Sequence, residues 1–194
     1  MRGAGRGGLA LAGGRRPDGQ GALRGGAVGP NPTDRGKAGA KKSLIVEADG
    51  GPLGVVIDGA NRPDCKLLDH TIEAIVIDRP DVTGERPQHL CLDKGFDNPS
   101  GRDAAELHGY TPHIRKIGEE KRPCDAAKGH KPRRWVVERT LAWLSRCRAL
   151  LVRYDKREGN YLGLIELACA LIWFRRLHRL KPLGAAGSEC YVSG

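Results

Sequence analysis

Residues 88–97 read QHLCLDKGFD, and the fold turns on how they are taken. Leu90, Cys91 and Leu92 form a short apolar run that Lys94-Gly95 brings to a stop. A run this short, bounded by turn signals, reads as a strand buried in a sheet. Asp93 stands at its C-terminal end, where open α/β sheets keep ligand-binding and catalytic groups. A turn-forming aspartate ahead of Lys-Gly is the plainer reading of the same residue.

Working outward, the neighbouring segments alternate in kind. Upstream, Ser43–Val46 and Leu53–Ile57 are apolar runs joined by Ala48-Asp-Gly-Gly-Pro52, the pattern of a β-hairpin. Asp64–Ile75 follows, with Leu67, Leu68, Ile72 and Ile75 on one helical face and Asp64 placed as an N-cap. Downstream, Pro99–Leu107 reads as a helix capped near Gly109, and Thr111–Arg115 as another strand. A polar loop, Gly118–Lys131, precedes a long helix over Arg134–Tyr154, with Val137, Thr140, Leu144, Cys147 and Leu151 sharing a face. A last helix spans about Asn160 to Leu180. The order β-β-α-β-α-β-α-α predicts an α/β sheet covered by helices.

Composition narrows the function. The chain has 194 residues, a formal charge of +10 and a pI of about 9.6. A protein this basic usually meets a polyanion, and nucleic acid is the first expectation. No run of eighteen apolar residues is present, so no spanning helix is expected. The six cysteines include no CxxC pair, and Cys91, Cys147 and Cys169 read as buried free thiols of a reducing compartment. His89-x-Cys91 and Cys124…His130 lack the paired spacing of a structural zinc site. Residues 1–28 form a Gly/Arg-rich stretch, read as a flexible basic arm or as sequence translated from a non-native frame. Residues 181–194 read as a disordered tail.

One further carboxylate stands out. In RRWVVERTLAWLSRCRALLVRYDKR (133–157), Glu138 is the only acid before Asp155, among arginines. It reads as an i,i+4 partner of Arg134, or as a metal ligand in a basic groove where arginines hold phosphates. Two such acids could share Mg²⁺, because hard cations take carboxylate oxygens and phosphodiester chemistry needs the leaving oxygen neutralised.

Several blocks occur together in order: GPNPTDRGKAGAKKSLIV (29–46), GPLGVVIDGANRPDCKLL (51–68), HLCLDKGFD (89–97), the 133–157 segment and YLGLIELACALIWFRRL (161–177). They resemble the catalytic part of bacterial insertion-sequence transposases of the IS5 group (IS4/IS5-like). The resemblance implies an RNase H-like mixed sheet with flanking helices over 29–180, and a DDE triad holding Mg²⁺ or Mn²⁺. It places Asp93 on the second acid, Glu138 on the third and Arg134 on the arginine of the R-x3-E signature. Lys131 stands where that signature has tyrosine. It also implies DNA cleavage and strand transfer at terminal inverted repeats, with target DNA and a homodimer as partners. The expected location is the bacterial cytoplasm, at the nucleoid. Arg134, Arg139, Lys94 and Arg146 are then expected to neutralise phosphates.

The first acid has no clear counterpart. In the family it lies on a strand just before the GPNPTDRGK block, where this chain has PDGQGALRGGAVGP. Asp18 is the working equivalent, although its flanks are not strand-like; Asp34, Asp58 and Asp64 are weaker alternatives. Asp58 and Asp64 both follow what would be an edge strand, away from Asp93. The region ahead of residue 29 therefore reads as truncated or decayed. Two other functions stay open: a catalytically inactive DNA-binding remnant, and an RNase H-like nuclease that cuts without joining.

Overall fold

The computed structural model describes residues 8–14 (backbone only), 26–81, 87–114 and 134–180. Asp18, the loop 118–131, Cys124, His130 and the tail 181–194 lie outside the described residues, as do the side chains of Arg134 and Leu180.

The six described strands are β1 (Gly8–Gly14), β2 (Gly29–Pro30), β3 (Ala38–Val46), β4 (Pro52–Gly59), β5 (Gln88–Leu92) and β6 (Tyr110–Ile114). The helices are α1 (Leu68–Glu73), α2 (Pro99–Leu107), α3 (Arg134–Leu144), α4 (Arg148–Leu151) and α5 (Glu158–Leu180). β3 pairs antiparallel with β4 on one side and with β1 on the other. β1 pairs parallel with β5, and β5 with β6, so across the sheet the strands run β4-β3-β1-β5-β6. β2 adds a short antiparallel rung to the start of β3.

The main departure from the sequence reading is β1. It falls within the stretch read as a Gly/Arg-rich arm, yet it is paired on both edges in the middle of the sheet. GLALAGG has little strand propensity of its own; two ladders of backbone hydrogen bonds supply what the side chains do not.

The hairpin β3–β4 forms as its sequence predicts. Gly50 takes φ +91°, a conformation that favours glycine, and the Glu47 carboxylate accepts the N–H groups of Asp49 and Gly51 across the turn. Alternation along β3 then splits the core. Leu44 and Val46 pack with Val136, Val137, Leu144, Tyr161 and Ile165 of α3 and α5. Ile45 packs with Leu53, Leu68, Ile72, Leu90, Leu92, Phe96 and Tyr110 beneath α1 and α2. The sheet is thus covered on both faces.

Close approach of α1 to the sheet requires Gly54. A Cβ there would stand 2.7 Å from the Ala74 carbonyl oxygen, a backbone atom that cannot swing aside. Gly54→Ala is expected to cost about 1–3 kcal/mol in a urea unfolding titration, with the m-value unchanged.

Local chemistry corrects two boundaries and bears out a third. Asp64 does not cap a helix by its side chain: Pro63 holds the cap position of a 3-10 turn over Asp64–Lys66, and Asp64 pairs with the buried Lys41 Nζ at 2.8 Å. α2 is capped as its sequence suggests, with Asn98 Oδ1 accepting the Gly101 N–H at 2.8 Å and Pro99 as first residue. The long helix expected over 134–154 is two helices. Ser145 Oγ donates to the Leu141 carbonyl, Cys147 turns extended, and α4 restarts in a new phase. Leu150 is consequently buried in place of Leu151, and Cys147 is exposed at the break, contrary to its reading as a buried thiol.

Candidate active site

Asp93 follows β5 directly. Its backbone is extended, and its carboxylate accepts the Lys94 N–H at 2.7 Å, capping the 3-10 turn Lys94–Phe96. The turn-forming role is therefore real. Along β5, Leu90 and Leu92 enter the core beneath α1 and α2, whereas Cys91 packs against the core beneath α3 and α5. Alternation carried on through the extended Asp93 directs its half-buried side chain to the α3 side. Lys94, also half-buried, is next in the chain.

α3 lies on that face against β1 and β3. Val137 is fully buried, and Thr140 Oγ1 donates to the Gly50 carbonyl at 2.7 Å, tying the helix to the β3–β4 turn. Glu138, the next residue after Val137, is exposed. α5 flanks α3 over β4, where Trp173 Nε1 donates to the Pro52 carbonyl at 2.7 Å. Trp135, Arg139, Trp143 and Arg146 line a groove on this α5 flank. Glu138 sits about 100° around the helix from Arg139 and is not among the groove's lining residues. Arg139 and Arg146, two of the expected phosphate contacts, thus share a groove that Glu138 does not line. The third, Arg134, opens α3.

The alternatives for a first acid are engaged elsewhere. Asp34 lies 3.8 Å from Lys37 in its own turn, and Asp58, on the edge strand β4, accepts Arg62 Nε at 2.8 Å. Asp64 comes closer to the Asp93 turn than an edge position suggested: its Oδ2 stands 4.0 Å from where a Cβ on Gly95 would be. Its other oxygen faces Lys41, whose side chain is 2% exposed. One cluster with metal-like spacing occurs among the described residues, Asp69, His70 and Glu73 on α1. It is on the opposite face of the sheet from α3, with Asp69 2.6 Å from His108 and His70 3.5 Å from Glu73.

The turn under α3 is electrostatically set. Burial pushes the Glu47 carboxyl up, but Arg176 and the N–H groups of Gly51 and Asp49 outweigh it and hold the group below its ordinary value. Glu47 therefore adds stability that is complete above about pH 4.5 and fades as pH falls through its lowered value. The melting temperature of Glu47→Gln should lie below the parent's at pH 7, and the gap should close on acidification below pH 4.5. Cys169, by contrast, is pushed up to about 12 by burial and by Glu166, so its thiol is inert.

Comparison with known proteins then decides the family. Residues 15–173 match the family described as transposase DDE domain. This chain belongs to the DDE transposases. A relative from Burkholderia cepacia, described as the transposase of insertion sequence element IS402, is 36% identical over 158 residues, covering 78% of this chain and 71% of the relative.

DDE transposases depend on a divalent metal, and carboxylates such as those of Asp93 and Glu138 are hard oxygen donors of the type such an ion takes. The set is nonetheless incomplete among the described residues. β1 is the strand beside β5, and its seven residues, GLALAGG, contain no acid. Among the described residues, no three-carboxylate site is complete on this face.

Two features of the transposase escaped sequence reasoning. β1 could have been suspected from Leu9 and Leu11, two residues apart. The α5 groove was signalled by Trp135, Arg139 and Trp143 at i,i+4 spacing, but which flank α5 occupies is a tertiary fact.

Proposed function

We propose that this transposase domain has an RNase H-like sheet and engages the terminal inverted repeats of an insertion sequence, with Asp93 and Glu138 as the two carboxylates that face the DNA. The strand order supports the fold: three antiparallel strands, β4-β3-β1, continued by parallel β5 and β6. One observation carries the site. Asp93 ends β5 on the face covered by α3, and α3 rests on β1, the strand next to β5, with Glu138 exposed on α3. Lys94 follows Asp93 directly and Arg134 stands one helical turn before Glu138, both suited to phosphates. The net charge of +10 supports DNA as the partner.

With no acid on β1, the described residues bring two carboxylates to this face, and DNA ends are expected to be held without being cut unless a third joins them. Among the described residues no helix is long and apolar enough to cross a membrane. The reading extends to a homodimer, one copy on each end, working on chromosomal DNA in the bacterial cytoplasm.

The test is a gel-shift titration with duplexes carrying the element's own ends, run beside a scrambled duplex and followed by incubation in Mg²⁺. End-selective binding with no nick is expected. Equal affinity for both duplexes would remove the proposal of end recognition, and a Mg²⁺-dependent nick by the parent chain would show that a third carboxylate is in place.

A further inference from the structure

β5 and β6 lie at the end of the sheet away from the β3–β4 hairpin. Their parallel register sets Cys91 level with His113 and His89 level with Thr111. Level partners share a face, and so do residues two apart along a strand. His89 and His113 therefore stand on the same face as Cys91, which packs against the core beneath α3 and α5. α3 itself lies against β1 and β3, and toward the end of the sheet His113 is exposed and His89 half-buried. The two imidazoles meet there: His113 Nε2 stands 2.9 Å from His89 Nδ1, with ring centres 4.9 Å apart.

A hydrogen bond between two ring nitrogens needs one donor and one acceptor, so at least one of these rings is neutral. The contact thus keeps a lone pair on an imidazole nitrogen at the surface of a chain of net charge +10. Two nitrogens each about 2.0–2.1 Å from one ion, and at right angles about it, stand about 2.9 Å apart; at the tetrahedral angle they stand about 3.4 Å apart. The observed 2.9 Å is the bite of adjacent corners of a square or an octahedron. Imidazole donors in that geometry suit Cu²⁺ and Ni²⁺.

We infer that His89 and His113 form a chelating pair for a late first-row divalent ion, Cu²⁺ or Ni²⁺, with water in the remaining positions. On binding, the bridging proton is given up to water and the ring that held it keeps or regains a proton on its far nitrogen, so both rings coordinate as neutral imidazoles. Mg²⁺ prefers hard oxygen donors, and Mn²⁺ stands lowest in the affinity series, so neither competes well here. Asp93 lies four residues further along β5, about 13 Å away along the strand. The pair therefore shares no ligand with the carboxylates and does not rest on the proposed function. His89-x-Cys91 gives no sign of it in the sequence, because the second imidazole comes from the neighbouring strand.

The experiment uses the full chain without a histidine tag, titrated with Ni²⁺ by isothermal titration calorimetry in excess Mg²⁺. Ni²⁺ spares the cysteines the oxidation that Cu²⁺ brings. His89→Asn and His113→Gln should each weaken binding at least tenfold, since loss of a mere supporting group at a metal site already costs about that much. The double variant should lose little more than either single change, because both rings serve one ion. His70→Gln, which removes the imidazole of the α1 cluster on the opposite face, should bind as the parent does. Mn²⁺ at equal concentration should not displace Ni²⁺, and circular dichroism confirms that each variant is folded. A parent chain that takes up no Ni²⁺ below about 1 mM would overturn the inference. So would parent-like affinity in His89→Asn or His113→Gln, or a loss confined to His70→Gln. None of these outcomes bears on DNA binding or on the carboxylates.

Discussion

Ala12→Asp is expected to convert a chain that leaves DNA intact into one that nicks the element's ends in Mg²⁺ or Mn²⁺. The reasoning is one of register. β1 and β5 are parallel, with Gly8 beside His89 and Ala10 beside Cys91. Continued by two residues, the same register sets Ala12 level with Asp93. Paired positions of parallel strands share a face, so a carboxylate at residue 12 joins Asp93 on the side that α3 covers. A third hard donor beside Asp93 and Glu138 would complete a carboxylate set able to hold a divalent cation, which when bound would supply charge neutralisation at phosphate oxygens. Several kcal/mol of such stabilisation corresponds to a gain on the order of a hundredfold to a thousandfold in rate. Supercoiled plasmid carrying the ends gives the readout, as conversion to the nicked circle. Asp93→Asn or Glu138→Gln, added to Ala12→Asp, should abolish the nick. Nicking that survives either change would mean that the acid at residue 12 works without them.

The largest expected loss of stability lies at Arg153. Its side chain is 1% exposed, yet it carries a full charge. Nε donates to the Asp155 carbonyl at 3.0 Å, Nη1 to Ala27 at 3.2 Å and Nη2 to Gly26 at 3.0 Å, and the guanidinium lies 5.1 Å from the Tyr161 ring centre. Ala27 is held at φ +55°, a conformation that an L residue adopts at a cost. Arg153 thus pins the segment entering β2 to the end of α4. Arg153→Met keeps much of the volume but strands three acceptors without their donor. The expected cost is about 3–5 kcal/mol, since hydrogen bonds to a charged group are stronger than neutral ones and buried acceptors left unpaired are penalised again. For a chain of this length that lowers the melting temperature by about 10 °C. A shift below 2 °C would mean that water or a rearranged turn replaces the arginine.

Arg153 also shows where sequence reading runs out. Its neighbours in the chain mark it as one more arginine of a basic segment, and two of its partners, Gly26 and Ala27, are more than a hundred residues away. The hairpin β3–β4, by contrast, was legible because its turn chemistry and alternation are local. So were α2, through Asn98-Pro99 and Gly109, and the strand ending at Asp93. The family was legible because its blocks stand in order. β1 was hidden because a strand of glycine, alanine and leucine carries almost no local signal and is specified by the two strands that pair with it. The break between α3 and α4 was hidden because the apolar spacing of Val137, Thr140, Leu144 and Cys147 continues across it. The division of α3 into a Glu138 flank and an arginine–tryptophan groove depends on where α5 packs, which helical periodicity does not encode.

Asp93 and Glu138 are proposed to face one cation. Mn²⁺ binding, followed by electron paramagnetic resonance across the parent, Asp93→Asn, Glu138→Gln and the double variant, measures it. Shared coordination predicts that each single change weakens binding and that the double change adds little, a coupling of about 1–3 kcal/mol. Losses that simply add, or a Glu138→Gln chain that binds Mn²⁺ as the parent does, would contradict it.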